Sequence, residues 1–294
     1  MDKRLLFILN PTAGVNRTFA PLLEALDLLS QAGYALTVRT TTQVGDATNF
    51  VLQYGQKVET IVCCGGDGTL NETISGIMQL EHKPCLGYLP RGSTNDFATS
   101  MGISQNPVIA TEAMLASMPR AVDVGLLNGR SFVYVACFGA FTKSAYSAPQ
   151  AMKNVLGHFA YVLEGIKDIS SLRPYKIKVT ADDEILDGEY LFGAVCNSTS
   201  IGGLMRLDHL MVTLDDGRFE LLLIPSPQTA IDLQNIVRAL LTQNYNSQGL
   251  VFRHVSAVHV ETQEALPWAL DGEYAPSAAT THIVNHQQAV RILK

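Results

Sequence analysis

The sequence predicts an α/β chain in two parts, and three observations carry the prediction. Strand-length apolar runs alternate with amphipathic helix-length runs through the first third, and after about residue 120 the texture turns strand-rich. The length of 294 residues suits one large or two ordinary domains at roughly 100–200 residues each. The resulting parse is an N-terminal three-layer α/β domain over residues 1–125 and a β-rich, sandwich-like domain over residues 126–285, with residues 286–294 free to complete the first.

Each element has its own signal. Residues 5–9 are a continuous apolar run ended by Asn10-Pro11, and residues 18–32 then place Phe19, Leu22, Leu23, Leu26 and Leu29 on one helical face. Gly33 stops that helix, residues 34–39 alternate as a strand, and Gly45-Asp46 opens a helix carrying Ala47, Phe50, Val51 and Tyr54 on one side. Residues 60–64 form the third strand, and Leu70, Ile74, Ile77 and Met78 mark the next helix. Residues 85–89 make the fourth strand and residues 95–101 a short helix. Strands follow at 122–127, 131–137, 175–180, 186–197, 219–224, 255–261, 266–270 and 289–293, with helical patterns near 151–169 and 228–242.

Composition removes several classes of function. Apolar residues at 47% against charged residues at 16% are incompatible with intrinsic disorder. No run reaches the roughly 18 apolar residues of a membrane span, and the start, Met1-Asp2-Lys3-Arg4, lacks a signal-peptide pattern, so a cytoplasmic location is expected. A net charge of −6 without a basic stripe argues against nucleic acid as a partner. The five cysteines, Cys63, Cys64, Cys85, Cys137 and Cys196, contain no C-x-x-C, and reduced buried thiols are expected rather than disulfides or zinc. Among seven histidines only His282 and His286 have H-x-x-x-H spacing, without the Glu of a zinc-protease helix. They read as surface residues.

The most informative turn is Gly65-Gly66-Asp67-Gly68, between a buried strand and an amphipathic helix. Missing Cβ atoms there let backbone N–H groups approach a polyphosphate at a helix N-terminus. Asp67 would repel phosphate unless it holds Mg2+ or its water, which makes it a metal or acid/base candidate; as a helix N-cap it would be structural instead. Two further polar loops, Asn10-Pro11-Thr12-Ala13-Gly14 and residues 90–97, leave strand ends on the same predicted edge, where open α/β sheets bind ligands. Ser93 or Thr94 could bond phosphate oxygens and Asp96 could join a metal–water network, against a helix N-cap at Thr94 or Asn95.

Asn-Pro-x-x-Gly, Gly-Gly-Asp-Gly-Thr-x-Asn-Glu and Pro-x-Gly-Ser-x-Asn-Asp-Phe, in this order near residues 10, 65 and 90, resemble the bacterial diacylglycerol kinase and lipid kinase family, within an NAD kinase-like superfamily. The resemblance continues through Gly157-His158-Phe159-Ala160-Tyr161, Gly202-Gly203, Asp215-Asp216-Gly217 and Asp271-Gly272-Glu273, nearly the whole chain. It implies an ATP- and Mg2+-dependent kinase acting on the free hydroxyl of diacylglycerol or a related lipid at a membrane surface, transiently associated, with homodimerisation left open. ATP would lie in an interdomain cleft, its site drawing on Asn10, Pro11, Thr12, Ala13, Gly14, Thr41, Gly65, Gly66, Asp67, Gly68, Thr69, Leu70, Asn71, Glu72, Ser93 and Asp96.

Glu273 would be the general base, because a lipid hydroxyl needs a carboxylate within reach to take its proton; without the resemblance, residues 271–273 read as a hairpin turn. A structural Mg2+ would be held by Asp216 with the backbone carbonyls of Thr213 and Arg218, in a network with Asp67 and Asp96. Val15 stands where relatives often carry Lys, and Glu164 where some carry a basic residue. The stripes Phe138-Gly139-Ala140-Phe141 and Phe159, Val162, Leu163, Ile166 read as core or as an acyl-chain groove. The competing readings are an NAD kinase or other small-molecule kinase, and a nucleotide- or lipid-binding regulator without catalysis.

Overall fold

Parallel strands with apolar side chains on both faces organise the first of two units in the computed structural model, which describes residues 3–14, 19–139, 172–198, 200–201, 205–206, 212–245, 247, 249–276 and 279–294. The units are Met1–Val124 with Gln288–Lys294, and Gly125–Gln287. The first contains β1 (Lys3–Leu9), α1 (Ala20–Gln31), β2 (Tyr34–Thr40), α2 (Asp46–Tyr54), β3 (Thr60–Gly65), α3 (Asp67–Met78), β4 (Cys85–Pro90), α4 (Asp96–Met101), α5 (Pro107–Ala116) and most of β5 (Arg120–Leu127).

Its strands run in the order β4-β3-β1-β2, all parallel. Leu5, Phe7 and Leu9 share a cluster with Leu22, Ala25 and Leu29 of α1 and Ala110 and Met114 of α5. Alternation sends Leu6 and Ile8 to the opposite face, where Val51 of α2 and Ile74 and Ile77 of α3 are buried. The three-layer arrangement follows from strands that are apolar on both sides. Helix α5 was not anticipated. Its apolar residues Val108, Ile109, Ala110, Met114 and Leu115 have no 3.6-residue rhythm, and its only signal is the Asn106-Pro107 start, where Asn106 Oδ1 accepts from Val108 N–H at 2.9 Å.

The second unit is antiparallel. It holds β6 (Arg130–Phe132), β7 (Val135–Gly139), β8 (Tyr175–Ala181), β9 (Glu184–Cys196), β10 (Ser200–Ile201), β11 (Met205–Arg206), β12 (Phe219–Pro225), α6 (Ala230–Leu241), β13 (Val251–Val255), β14 (Ala257–Thr262), β15 (Trp268–Leu270), β16 (Glu273–Ala275) and the first part of β17 (Thr280–Leu293). The long β9 pairs with different strands along its two halves. Its residues 184–190 pair with β8, while residues 192–196 pair with both β7 and β12. Ile177, Val179, Val258, Val260 and Ile283 from one side meet Phe138, Val195, Leu221, Leu223 and Trp268 from the other in a common core, the arrangement of a sandwich. Phe138 meets Trp268 edge-on at 5.0 Å between ring centroids.

Two boundaries differ from the sequence expectation. The single strand expected over 255–261 is broken at Ser256, because the Asp182 carboxylate accepts from the N–H groups of Ser256 and Ala257 at 3.0 and 2.9 Å. The last strand begins at Thr280, nine residues before its expected start at 289, since Thr281 and Ile283 point inward while polar neighbours mask the alternation. Its end, Ile292 and Leu293, pairs in parallel with β4 in the first unit. The helical pattern at 151–169, the motif at 157–161, Gly202-Gly203, Val15 and Glu164 lie outside the described residues.

Phe138→Ala is expected to cost about 3–5 kcal/mol by leaving a cavity, measured as a lower denaturation midpoint. Ile185→Ala, at a side chain 61% exposed, should leave the midpoint nearly unchanged.

Candidate active site

The strand order 4-3-1-2 creates a switch point between β1 and β3, because the chain leaves β1 toward β2 on one side while β3 lies on the other. Crevices of this kind, outside the carboxyl ends of parallel strands, are where open α/β sheets take ligands. Asn10 spans the crevice, donating through Nδ2 to Thr69 Oγ1 at 3.0 Å. Its Oδ1 accepts from Thr12 N–H and Thr12 Oγ1–H at 3.0 and 2.9 Å, closing an Asx turn that shapes residues 10–14. At Gly14, φ is +80° and a Cβ would collide with the Arg91 carbonyl. Only glycine lets these two loops approach so closely.

The loops after β3 and β4 meet backbone to backbone. A Cβ on Gly66 would lie 3.1 Å from Gly92 Cα, and one on Gly92 would lie 2.7 Å from Gly66 Cα. Asn95, buried with φ 54°, holds the second loop: its Oδ1 accepts from Gly92 N–H at 2.8 Å and its Nδ2 donates to Gly92 O at 3.1 Å. Gly66 is the N-cap of α3 and supplies no side-chain cap, leaving the first N–H groups of that helix directed at the crevice. Asp67 is therefore the first helical residue rather than the cap. Its Oδ2 accepts from Thr94 Oγ1–H at 3.2 Å and from Asp96 N–H at 3.3 Å. Asp96 itself is buried and opens α4.

The other expected contacts divide by what their side chains already do. Ser93 is exposed at the loop tip, and Pro11, Ala13 and Gly68 are partly exposed beside the crevice. Gly65 is buried against Thr69, and Leu70 is buried in the core, offering the crevice only its backbone. Glu72 is occupied at the start of α2, its Oε1 and Oε2 accepting from Gly45 and Ala47 N–H at 2.8 and 3.2 Å. Asn71 Oδ1 accepts from the Ser75 Oγ–H of its own helix at 3.3 Å. Thr41 is tied to β1 through its N–H on Leu9 O at 2.9 Å. Asp46, which follows, takes the N–H and hydroxyl of Thr42 and the N–H of Gln43 on Oδ2. The Thr42 N–H foremost holds its carboxyl below the usual range. Burial pushes the Cys64 thiol beneath the loop up to about 12, which fits an inert structural thiol.

In the second unit Asp271-Gly272 is the two-residue turn between β15 and β16, with φ of 47° and 93°, the geometry that favours Asp-Gly in tight hairpins. The turn residue Asp271 also has a long-range role that the sequence does not show. Asp271 is buried, and its carboxylate accepts from the N–H groups of Val133, Tyr134 and Val135 at 2.6, 3.0 and 3.0 Å. Glu273, two residues on, is exposed at the start of β16.

The turn carrying Asp216 is held by Arg218 N–H donating to Asp216 Oδ1 at 2.9 Å and by Asn285 Nδ2 donating to Arg218 O at 3.3 Å. Thr213, Asp216 and Arg218 are all exposed. A carboxylate with main-chain carbonyls is an all-oxygen set that suits a hard divalent cation, and the uncapped, glycine-lined start of α3 suits a polyphosphate. Sequence reasoning also passed over Glu220, a lone acid in the apolar run of β12. It is buried, its Oε1 lies 3.5 Å from His254 Nδ1, and burial, with the charge of Asp216 adding, pushes its carboxyl up to about 9.

Comparison with known proteins bears on the whole chain. Residues 4–127 match the diacylglycerol kinase catalytic domain, and residues 137–294 match the YegS C-terminal NAD kinase beta sandwich-like domain. A diacylglycerol kinase of Bacillus subtilis (strain 168) is 33% identical over 274 residues, spanning 92% of this chain and 90% of the relative. One from Staphylococcus saprophyticus is 30% identical, spanning 93% and 90%. A crystal structure of a candidate diacylglycerol kinase from Bacillus anthracis str. Sterne superposes with a TM-score of 0.83 at 25% identity, over 99% of this chain and 96% of that one.

Asp271→Ala is expected to destabilise the protein by about 3 kcal/mol or more, because it strands buried backbone donors at about 1–3 kcal/mol each. Denaturant titration checks this, and Glu273→Gln in the same assay should match wild type. Asp46 has its pKa lowered by folding, so its contribution is full above the ordinary 3.8 and is lost as pH falls through the folded value. Asp46→Ala should accordingly melt below wild type at neutral pH, with the gap closing as the pH is taken below 3.8.

Proposed function

Because the chain belongs to the bacterial diacylglycerol kinase family and is a lipid kinase, a phosphotransferase with an alcohol group as acceptor, we propose that it moves the γ-phosphate of ATP to the free hydroxyl of diacylglycerol or a related lipid. The observation that carries this reading is the uncapped start of α3 beneath the paired backbones of Gly66 and Gly92. Residues 66–69 receive the phosphates on main-chain N–H groups, where the helix dipole favours negative charge. The loop Asn10–Gly14, Thr41 and the hydroxyl of Ser93 bound the same nucleotide site.

Mg2+, when bound, supplies neutralisation of phosphate charge. Asp67, positioned by the Thr94 hydroxyl and the Asp96 N–H, serves to hold that ion or its water. Asp216, with the carbonyls of Thr213 and Arg218, serves a structural ion. Glu273 takes the acceptor proton on a carboxylate oxygen as the lipid oxygen bonds to the γ-phosphorus and the bond to the departing ADP breaks. Its exposure at the start of β16 supports a role at a surface-delivered substrate. Among the described residues no helix is long and apolar enough to cross a membrane, so the reading has the protein meet its lipid by transient contact with the membrane surface.

Purified protein with Mg2+, γ-labelled ATP and a panel of diacylglycerol, other hydroxyl lipids and NAD tests the proposal. Label in a lipid phosphate supports it, and label in NAD alone overturns it. Glu273→Gln is expected to retain ATP affinity while losing on the order of 10²–10⁴ in kcat, measured by nucleotide binding and turnover on one preparation. Turnover equal to wild type at every pH would remove Glu273 from the mechanism.

A further inference from the structure

His259 of β14 and His282 of β17 are directly opposed across an antiparallel pair. Their Nδ1 atoms are 2.9 Å apart and their ring centroids 4.1 Å apart. Both rings lie on the outer face of the sheet, since their neighbours Val258, Val260, Thr281 and Ile283 are buried. Each backbone is fixed: His282 N–H donates to Asn128 Oδ1 at 2.8 Å, and the registers of β8 and β17 clamp β14 from both sides.

On the far side of its ring, His259 Nε2 is 3.6 Å from Glu261 Oε1, and Glu261 is in turn held by Lys178 at 3.1 Å. A carboxylate facing the distal nitrogen is how proteins orient a metal-ligating histidine, since it favours the tautomer with the proton on that nitrogen. Here that tautomer aims the Nδ1 lone pair of His259 toward His282. Metal–nitrogen bonds of about 2.0–2.1 Å at a tetrahedral centre place two nitrogens about 3.3 Å apart. The rings therefore need to part by only about 0.4 Å to chelate an ion.

We propose that His259 and His282 form a binding site for a divalent transition metal, with Glu261 as the positioning residue and water completing the coordination. Imidazole pairs suit Zn2+, Ni2+ or Cu2+, whereas Mg2+ prefers oxygen ligands. The site thus takes a different class of ion from the one used in phosphoryl transfer. Chelation needs both Nδ1 lone pairs, so a proton shared between the rings moves to the Nε2 of the ring that carries it, a tautomer change with no net proton release.

Calorimetric titration of the full chain with NiCl2 in Mg2+-containing buffer tests the site. Wild type is expected to bind one Ni2+ in its tightest class, and His259→Gln and His282→Gln should each lose on the order of 10-fold or more in affinity. His286→Gln, farther along the same strand, should bind as wild type, and Glu261→Gln should weaken binding by a smaller factor than either histidine change. Anomalous diffraction from Ni2+-soaked wild-type crystals should place the ion between the two rings, independently of how any variant folds. Absence of Ni2+ binding by wild type, affinity equal to wild type in both histidine variants, or an anomalous peak only elsewhere would overturn the proposal.

Discussion

The contact between the backbones of Gly66 and Gly92 is the constraint on which the candidate nucleotide site depends. With no side chain on either residue, the loops after β3 and β4 come within van der Waals distance, and the Asp67 carboxylate then reaches the Thr94 hydroxyl and the Asp96 N–H. Asn95 keeps the second loop in register by bonding both the N–H and the carbonyl of Gly92. A larger residue at either glycine would push the loops apart and dissolve this alignment before any ligand arrived. The same economy of side chains leaves the start of α3 open, because Gly66 provides no oxygen to cap it.

The second unit solves a different problem with a carboxylate. Asp271 gathers the consecutive N–H groups of Val133, Tyr134 and Val135 as the chain turns into β7, and by doing so fixes the hairpin that presents Glu273. The two acids of one short motif thus have opposite environments, one buried and engaged by backbone, the other exposed. Charge-assisted bonds to backbone N–H groups are among the stronger hydrogen bonds available to a fold, which suits Asp271 to holding a turn in place. The ligands proposed in this unit differ in the same way: the Asp216 turn offers hard oxygen donors, while the histidine pair offers nitrogen.

Much of the architecture was legible in the chain. Alternating apolar runs located β1 to β4 and α1 to α3, and the motifs around residues 10, 65 and 90 pointed to the loops that the parallel sheet does bring to one edge. Elements without a clean rhythm were not legible. The apolar residues of helix α5 are spread around its circumference, so its pattern carries no period, and the early residues of β17 alternate polar and apolar with histidine, asparagine and glutamine obscuring the signal.

By itself the sequence determined what depends on near neighbours: which strongly periodic segments are strands or helices, where glycine turns fall, and which residue types stand at them. Tertiary structure alone decided the partnerships made across long stretches of chain. Asp271 and Val133 are separated by 138 positions, and His259 and His282 by 23, yet each pair meets at hydrogen-bonding distance. Periodicity reports the direction a side chain takes from its own strand, not which strand lies beside it. For that reason the sequence shows Asp271 as part of a turn motif and pairs His282 by spacing with His286, while strand register sets His282 against His259.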